Sequence, residues 1–100
     1  MAIREVVVRT RPNTSVNFSV PSENGLPNDW TAIDLASGEI TSFDESFSED
    51  GLTKTVTTTF KDEEARTNYN NNSTYRSAMS AVKTEDVSNN ITKTVTITEV

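Results

Sequence analysis

The sequence predicts an α+β domain in the order βαββαβ, an antiparallel sheet with helix on one face. Three observations carry this. Segments 3–10, 40–47, 52–60 and 91–98 have strand composition, β-branched or alternating apolar and polar. From residue 62 onward the apolar spacing switches to three and four residues. And nearly one phrase is written twice, LTKTVTTTF at 52–60 and ITKTVTITE at 91–99. Two β-branched strands with one solvated face converge easily on such a pattern. The repeat therefore signals a sheet with one open, threonine-rich face, not shared chemistry.

Taken in order, Ile3 to Thr10 carries Val6, Val7 and Val8 in succession, the mark of an inner strand covered on both faces. Pro12 ends it, having no N–H for the ladder. Ser15 to Val20 alternates around Val16, Phe18 and Val20, as an edge strand or an extended surface segment. Residues 21–29 (PSENGLPND) are loop by their prolines and Asn24-Gly25. Two readings stand for the next stretch: a short helix capped by Asn28 or Asp29 and ended by Gly38, burying Trp30, Ile33 and Ala36, or a strand over 30–35. Ile40 to Phe47 and Leu52 to Phe60 form a hairpin through the turn SEDG at 48–51. In its second strand Thr53, Thr55, Thr57 and Thr59 take one face, and Leu52, Lys54, Val56, Thr58 and Phe60 the other. Ala65, Tyr69, Asn72, Tyr75, Met79 and Val82 then mark a helical stripe. Asp62, Glu63 and Glu64 suit its positive end, and Ser73 or Thr74 invites a new cap and a break near residue 71. Thr84 to Asn90 reads as a polar link before the last strand. This order is the ferredoxin-like split arrangement, whose last strand lies at a sheet edge open to pairing with a second copy.

One hundred residues make a single domain. The apolar fraction of 33% is low, as for a β-rich domain with exposed polar sheet or one that completes its core against a partner. Nine basic residues against fifteen acidic ones give a net charge of −6. The bases are scattered apart from Arg4, Arg9 and Arg11, which argues against nucleic acid and anionic membranes as partners. With no cysteine and no histidine, thiolate and imidazole chemistry is excluded, and no cofactor is expected. No segment has the length of an apolar transmembrane helix and the start MAIREVVVRTR has no signal-peptide core, so a cytoplasmic protein, or a virion protein if phage-encoded, is expected.

Candidate sites are few. Asp44, Glu45, Glu49 and Asp50 could offer oxygen ligands to calcium, but the spacing fails the EF-hand pattern and an acidic solvated turn explains them. Asp62, Glu63 and Glu64 have a sufficient reason to be in a helix's first turn. Tyr69, Tyr75 and Met79 form a possible pocket between helix and sheet, although core packing explains them too. The most distinctive stretch is RTRPNTSVNF: Arg9, Arg11, Pro12, Asn13, Val16 and Phe18 make a candidate partner-binding segment, the arginines gripping a partner's carboxylate. No catalytic residue, cofactor site or metal site is assigned.

VVVRTRPNTSVNFSVPSE, FKDEEARTNY and the closing ITKTVTITEV resemble small accessory proteins of tailed marine phages. That resemblance implies a virion or assembly protein, and a non-enzymatic structural or interaction protein, as a homo-oligomer or within a larger assembly, is the favoured expectation. The element order is also similar to the dimeric α+β barrel family, which includes the antibiotic-biosynthesis monooxygenases. That second resemblance implies a small dimeric enzyme or ligand-binding module, without the haem-degrading activity that needs a histidine.

Overall fold

Strand β1 (Ile3–Thr10) runs between β3 (Thr53–Phe60) and β4 (Thr92–Glu99), and β2 (Ile40–Phe47) closes the other side, giving the order β2-β3-β1-β4. All neighbours are antiparallel. The computed structural model describes residues 1–18 and 30–100, and of Trp30 only the backbone. Helices α1 (Trp30–Ser37), α2 (Glu63–Asn71) and α3 (Ser73–Ser88) cover one face. This is the predicted ferredoxin-like α+β architecture, with β1 inside and β4 at an edge.

The register fixes the faces. Ile3 opposes Phe60, Val7 opposes Val56, and Arg9 opposes Lys54 on the helix side. The other side carries Arg4, Val6, Val8 and Thr10 flanked by Thr53 to Thr59 on β3 and Thr92 to Thr98 on β4. The open threonine face is thus real, as a consequence of period-two alternation. In β2 the pairing shifts between Ile40 and Ser42. Thr41 is the extra residue of this bulge, and its Oγ1 donates to the Thr59 carbonyl at 3.3 Å. Without the bulge Ile40 and Phe43 would fall on opposite faces. With it both turn toward the helices, where Ile40, Phe60 and Ala65 form the tightest part of the core with Phe43 and Tyr69 beside them.

The stretch 30–37 is helix, not strand. Gly38 ends it at φ +84°, its N–H reaching the Leu35 carbonyl, a conformation that costs glycine least. Ile33 and Ala36, expected inside, are exposed: eight residues against the sheet rim give α1 too little cover to bury a stripe. The caps expected at Asn28 or Asp29, and the residues from Ser19 to Val20 and 21–29, lie outside the described residues. Residues 15–18 form no strand, because Asn13 folds the chain into a turn first.

The break near 71 is present, but Asn72 makes it, not Ser73 or Thr74. Its φ and ψ of −60° and 130° end α2, and its Oδ1 accepts from the Thr74 and Tyr75 N–H groups at 2.9 and 3.3 Å to start α3. Asp62 caps α2 in the same way, accepting from Ala65 N at 2.8 Å. The polar link predicted over 84–90 is mostly helix. Asn90 stands at φ 58°, Asn90 N donates to the Val87 carbonyl and Ile91 N to the Asp86 carbonyl, and Ile91 is buried. That is the hydrogen-bond pattern of a Schellman ending, built on asparagine in place of glycine. Replacing Asp62 by alanine is expected to cost about 1 kcal/mol in urea unfolding. A midpoint unchanged from the parent would show that the cap contributes nothing.

Candidate functional site

Two ion pairs tie the helices to β1. Arg66 of α2 donates from Nε to Glu5 at 3.0 Å and from Nη1 to Glu63 at 3.1 Å. Arg9 meets Asp86 of α3 through both ends of its guanidinium, Nε to Oδ2 at 3.1 Å and Nη2 to Oδ1, with both residues buried. The fork matches the carboxylate plane, which is why arginine holds this place.

The candidate partner segment therefore closes on its own chain. The carboxylate that Arg9 grips is Asp86. Arg11 donates to the Gly51 and Val16 carbonyls, each at 2.9 Å. Phe18 is buried with the Arg9 and Arg11 guanidinium carbons 5.2 and 4.8 Å from its ring centre, and Phe47 beside it. Pro12 and Asn13 form the exposed turn, Asn13 Oδ1 accepting from Ser15 N at 3.1 Å, and Val16 is half-buried.

At the opposite end of the sheet a cleft of about 330 Å³ opens between α1 and α2. Asp34, Glu39, Lys61, Asp62, Asn68, Tyr69 and Asn72 are among its lining residues. The volume is that of a small-molecule site. Tyr69 forms its aromatic wall, set edge-on to Phe60 with ring centres 5.5 Å apart and 4.7 Å from the Tyr75 ring. Its hydroxyl lies 3.3 Å from Thr31 Oγ1. Thr31 and Asp34 are one helical turn apart on α1, which brings both to the same side. Glu39 and Lys61 pair at 2.8 Å where β2 begins and β3 ends.

The cleft sets the charge states of its groups. Burial, then the Glu39 carboxylate, raises the Asp34 pKa above the ordinary aspartate value. Burial raises Tyr69, opposed by its hydrogen bond to Thr31 and reinforced by the Asp34 and Glu5 carboxylates. Tyr75 is pushed up further, again by burial, with Tyr69 and Glu5 adding to it. Both phenols stay protonated at neutral pH. A carboxyl with a raised pKa beside a protonated phenol is a pairing suited to moving a proton.

Of the predicted pocket residues, Tyr69 and Tyr75 come together, but only Tyr69 lines this cleft. Met79 lies half-buried one turn beyond Tyr75. Sequence reading missed Asp34, Thr31, Glu39, Lys61 and Asn68. They come from separate elements, and the only local clue was the helical spacing of Thr31 and Asp34 in a stretch that also read as strand. Among the described residues no group of acidic side chains is placed to hold a metal ion, and no helix is long and apolar enough to cross a membrane.

No family model and no curated protein matches the sequence. Solved structures do match its fold. A conserved protein of unknown function from Bacteroides thetaiotaomicron, described as a possible oxidoreductase, superposes with TM-score 0.69 at 13% identity, over 99% of this chain and 97% of its own. SnoaB, a cofactor-independent oxygenase from Streptomyces nogalater, gives 0.61 at 10% identity over 99% and 92%. A dimeric ferredoxin-like protein from an uncultured marine organism gives 0.59 at 7% identity over 99% and 89%. Candidate antibiotic biosynthesis monooxygenases from Deinococcus radiodurans and Caulobacter crescentus share the fold too. The expectation of a phage structural protein is corrected by this company: the whole-chain neighbours include an oxygenase and candidate monooxygenases, and none of these points to a virion. At these identities the likeness establishes the fold, a ferredoxin-like α+β sheet-and-helix unit.

Proposed function

We propose that this chain is a small-molecule oxygenase of the antibiotic-biosynthesis-monooxygenase type, with its substrate in the Tyr69 cleft. The observation that carries it is the pairing of Asp34, a carboxyl with a raised pKa, with the protonated hydroxyl of Tyr69 on one cleft of small-molecule size. The cofactor-independent oxygenase among the fold neighbours supports the chemistry, and the dimeric neighbour supports self-association.

Oxygenation without a cofactor needs a substrate that supplies the electron to oxygen itself, hence an enolisable ring ketone. Asp34 removes a proton from its activated methylene, while Tyr69 donates a hydrogen bond to the enolate oxygen. The enolate passes one electron to molecular oxygen and the resulting pair combine at carbon as a peroxide. Asp34 returns its proton to the distal oxygen, then removes the second carbon-bound proton as hydroxide leaves. In sum CH2 and O2 give C=O and H2O. Lys61, with Asn68 and the Asn72 amide nitrogen, faces the substrate's oxygen substituents.

The test follows oxygen uptake and product mass with a bicyclic phenolic ketone bearing an activated methylene. Wild type is expected to accelerate uptake, giving a product with one oxygen more and two hydrogens fewer. Asp34→Asn should lower the rate by about 10²–10⁴. Because the base works only when ionised, the rate should fall as pH drops, through a midpoint above the ordinary carboxylate range. Uptake equal in wild type and Asp34→Asn would overturn the oxygenase step. Probe binding without uptake would leave a ligand-binding module.

A further inference from the structure

We infer that the Tyr69 cleft takes an organic cation, a substrate whose ring system carries an ammonium group. This deepens the reading of that cleft as the substrate site and rests on it, but not on the oxygenase step.

The lining is unbalanced in charge. Among the described residues Asp34, Glu39, Asp62 and Glu64 bring four carboxylates to it and Lys61 one ammonium, which leaves −3 with all of them ionised. Lys61 is already committed to Glu39 at 2.8 Å, and Glu39, then Asp62 and Glu64, hold its proton on. Asp62 places one oxygen on the Ala65 N–H at the start of α2. Asp34 has no such partner among the described residues. Burial and then the Glu39 carboxylate act on it, both against its ionised form. The α1 side of the cleft therefore lacks a positive charge.

The arrangement suits an organic cation better than a metal ion. A divalent metal needs several oxygens converging on one point at about 2.0–2.6 Å. These carboxylates come from α1, the start of β2 and the first turn of α2, and among the described residues no group of them is placed to hold such an ion. Carboxylates spread round a cavity of about 330 Å³ fit a larger and more diffuse charge. Tyr69 adds the aromatic wall, and a phenol ring attracts a cation held over its face. An anionic substrate would meet like charges on every side, and a neutral one would leave Asp34 facing Glu39 uncompensated. In the oxygenase reading the ammonium has a second consequence. A positive charge near the activated methylene favours both the ionised Asp34 that removes the proton and the enolate that results.

The experiment titrates wild type by calorimetry with three probes on one bicyclic skeleton: aminotetralin, its N-acetyl amide and tetralin carboxylate. None has an enolisable ketone, so binding is read apart from oxygenation. The amine is expected to bind about tenfold or more tightly than the amide, a preference that shrinks with added salt. The carboxylate should bind more weakly than the amide. Backbone NMR shifts of Asn68 and Tyr69 should move with the amine, placing it in the cleft. Asp34→Asn combined with Glu64→Gln should abolish the preference while amide affinity and the circular dichroism spectrum stay close to wild type. At mildly acidic pH the arriving cation draws Asp34 into its ionised form, so binding should release protons, seen as a heat that varies with the buffer. Glu39, Lys61, Asp62, Glu64 and the Tyr69 hydroxyl line the same space, so Asp34→Asn alone is the control and should remove most of this release. Equal affinity for amine and amide, tighter binding of the carboxylate, a preference that survives the double variant, shifts confined to residues away from the cleft, or no binding of any probe would each overturn the inference. Displacement of the amine by calcium chloride at constant ionic strength would do the same, by revealing a metal site. Amine preference without oxygen uptake on the ketone would support it and strike only the oxygenase step. Uptake with equal probe affinities would do the reverse.

Discussion

Replacing Phe60 with alanine lowers the unfolding free energy by about 3–5 kcal/mol. Phe60 is 2% exposed and packs with Ile40 and Ala65 under Tyr69. Its ring is held at the end of β3 and cannot be replaced by movement of the backbone, which is paired to β1 at Ile3 and to β2 at Ile40. A domain of this size has roughly 5–15 kcal/mol in hand, so the loss takes a large share of it. At roughly 4–8 °C per kcal/mol the melting temperature should fall by more than about 10 °C in circular dichroism. A shift of a degree or two would show that the core lies elsewhere. Tyr69 leans its ring on Phe60, so ligand binding at the cleft should weaken in Phe60→Ala and recover much of the way in Phe60→Leu, which keeps most of the volume.

Asp86→Ala is expected to cost about 3–5 kcal/mol, because it leaves the buried Arg9 guanidinium without its counter-charge. The pair itself is worth far less than that figure, since bringing both charges out of water offsets most of their attraction. The double variant Arg9→Met with Asp86→Leu should therefore lie closer to the parent than either single change. A double-mutant cycle in urea measures this directly. Additive losses would mean that the two residues act separately, and that the Phe18 contact with Arg9 carries the stability at this end of the sheet.

These two residues also mark how far the sequence could be read. Phe60 was placed on the inward face by alternation alone, because period two is a property of the extended backbone. The β2–β3 hairpin, the inner place of β1, the threonine face and the break near 71 follow from equally local rules. Asp86 was read as part of a polar link. A helix of weak intrinsic preference continues through it because Arg9, 77 positions away, fixes it, and because the asparagines that follow close the helix by a Schellman turn. Propensity is a small term beside a buried ion pair. Arg9 shows the same limit from the other side: its chemistry, gripping a carboxylate, was legible, but the owner of that carboxylate was not. The cleft was half legible, through Tyr69. Its other groups come from α1, the β2–β3 ends and the α2–α3 junction, and meet only in three dimensions.

The sequence by itself determined the four strands, their faces and the long helical stretch after residue 62, since each depends on residues a few positions apart. The tertiary structure decided which register the bulge at Thr41 selects, which charges go inside in pairs, and that Asp34 and Tyr69 share one cleft. Those depend on contacts between distant segments, where packing and desolvation outweigh the local preferences that a linear reading can weigh.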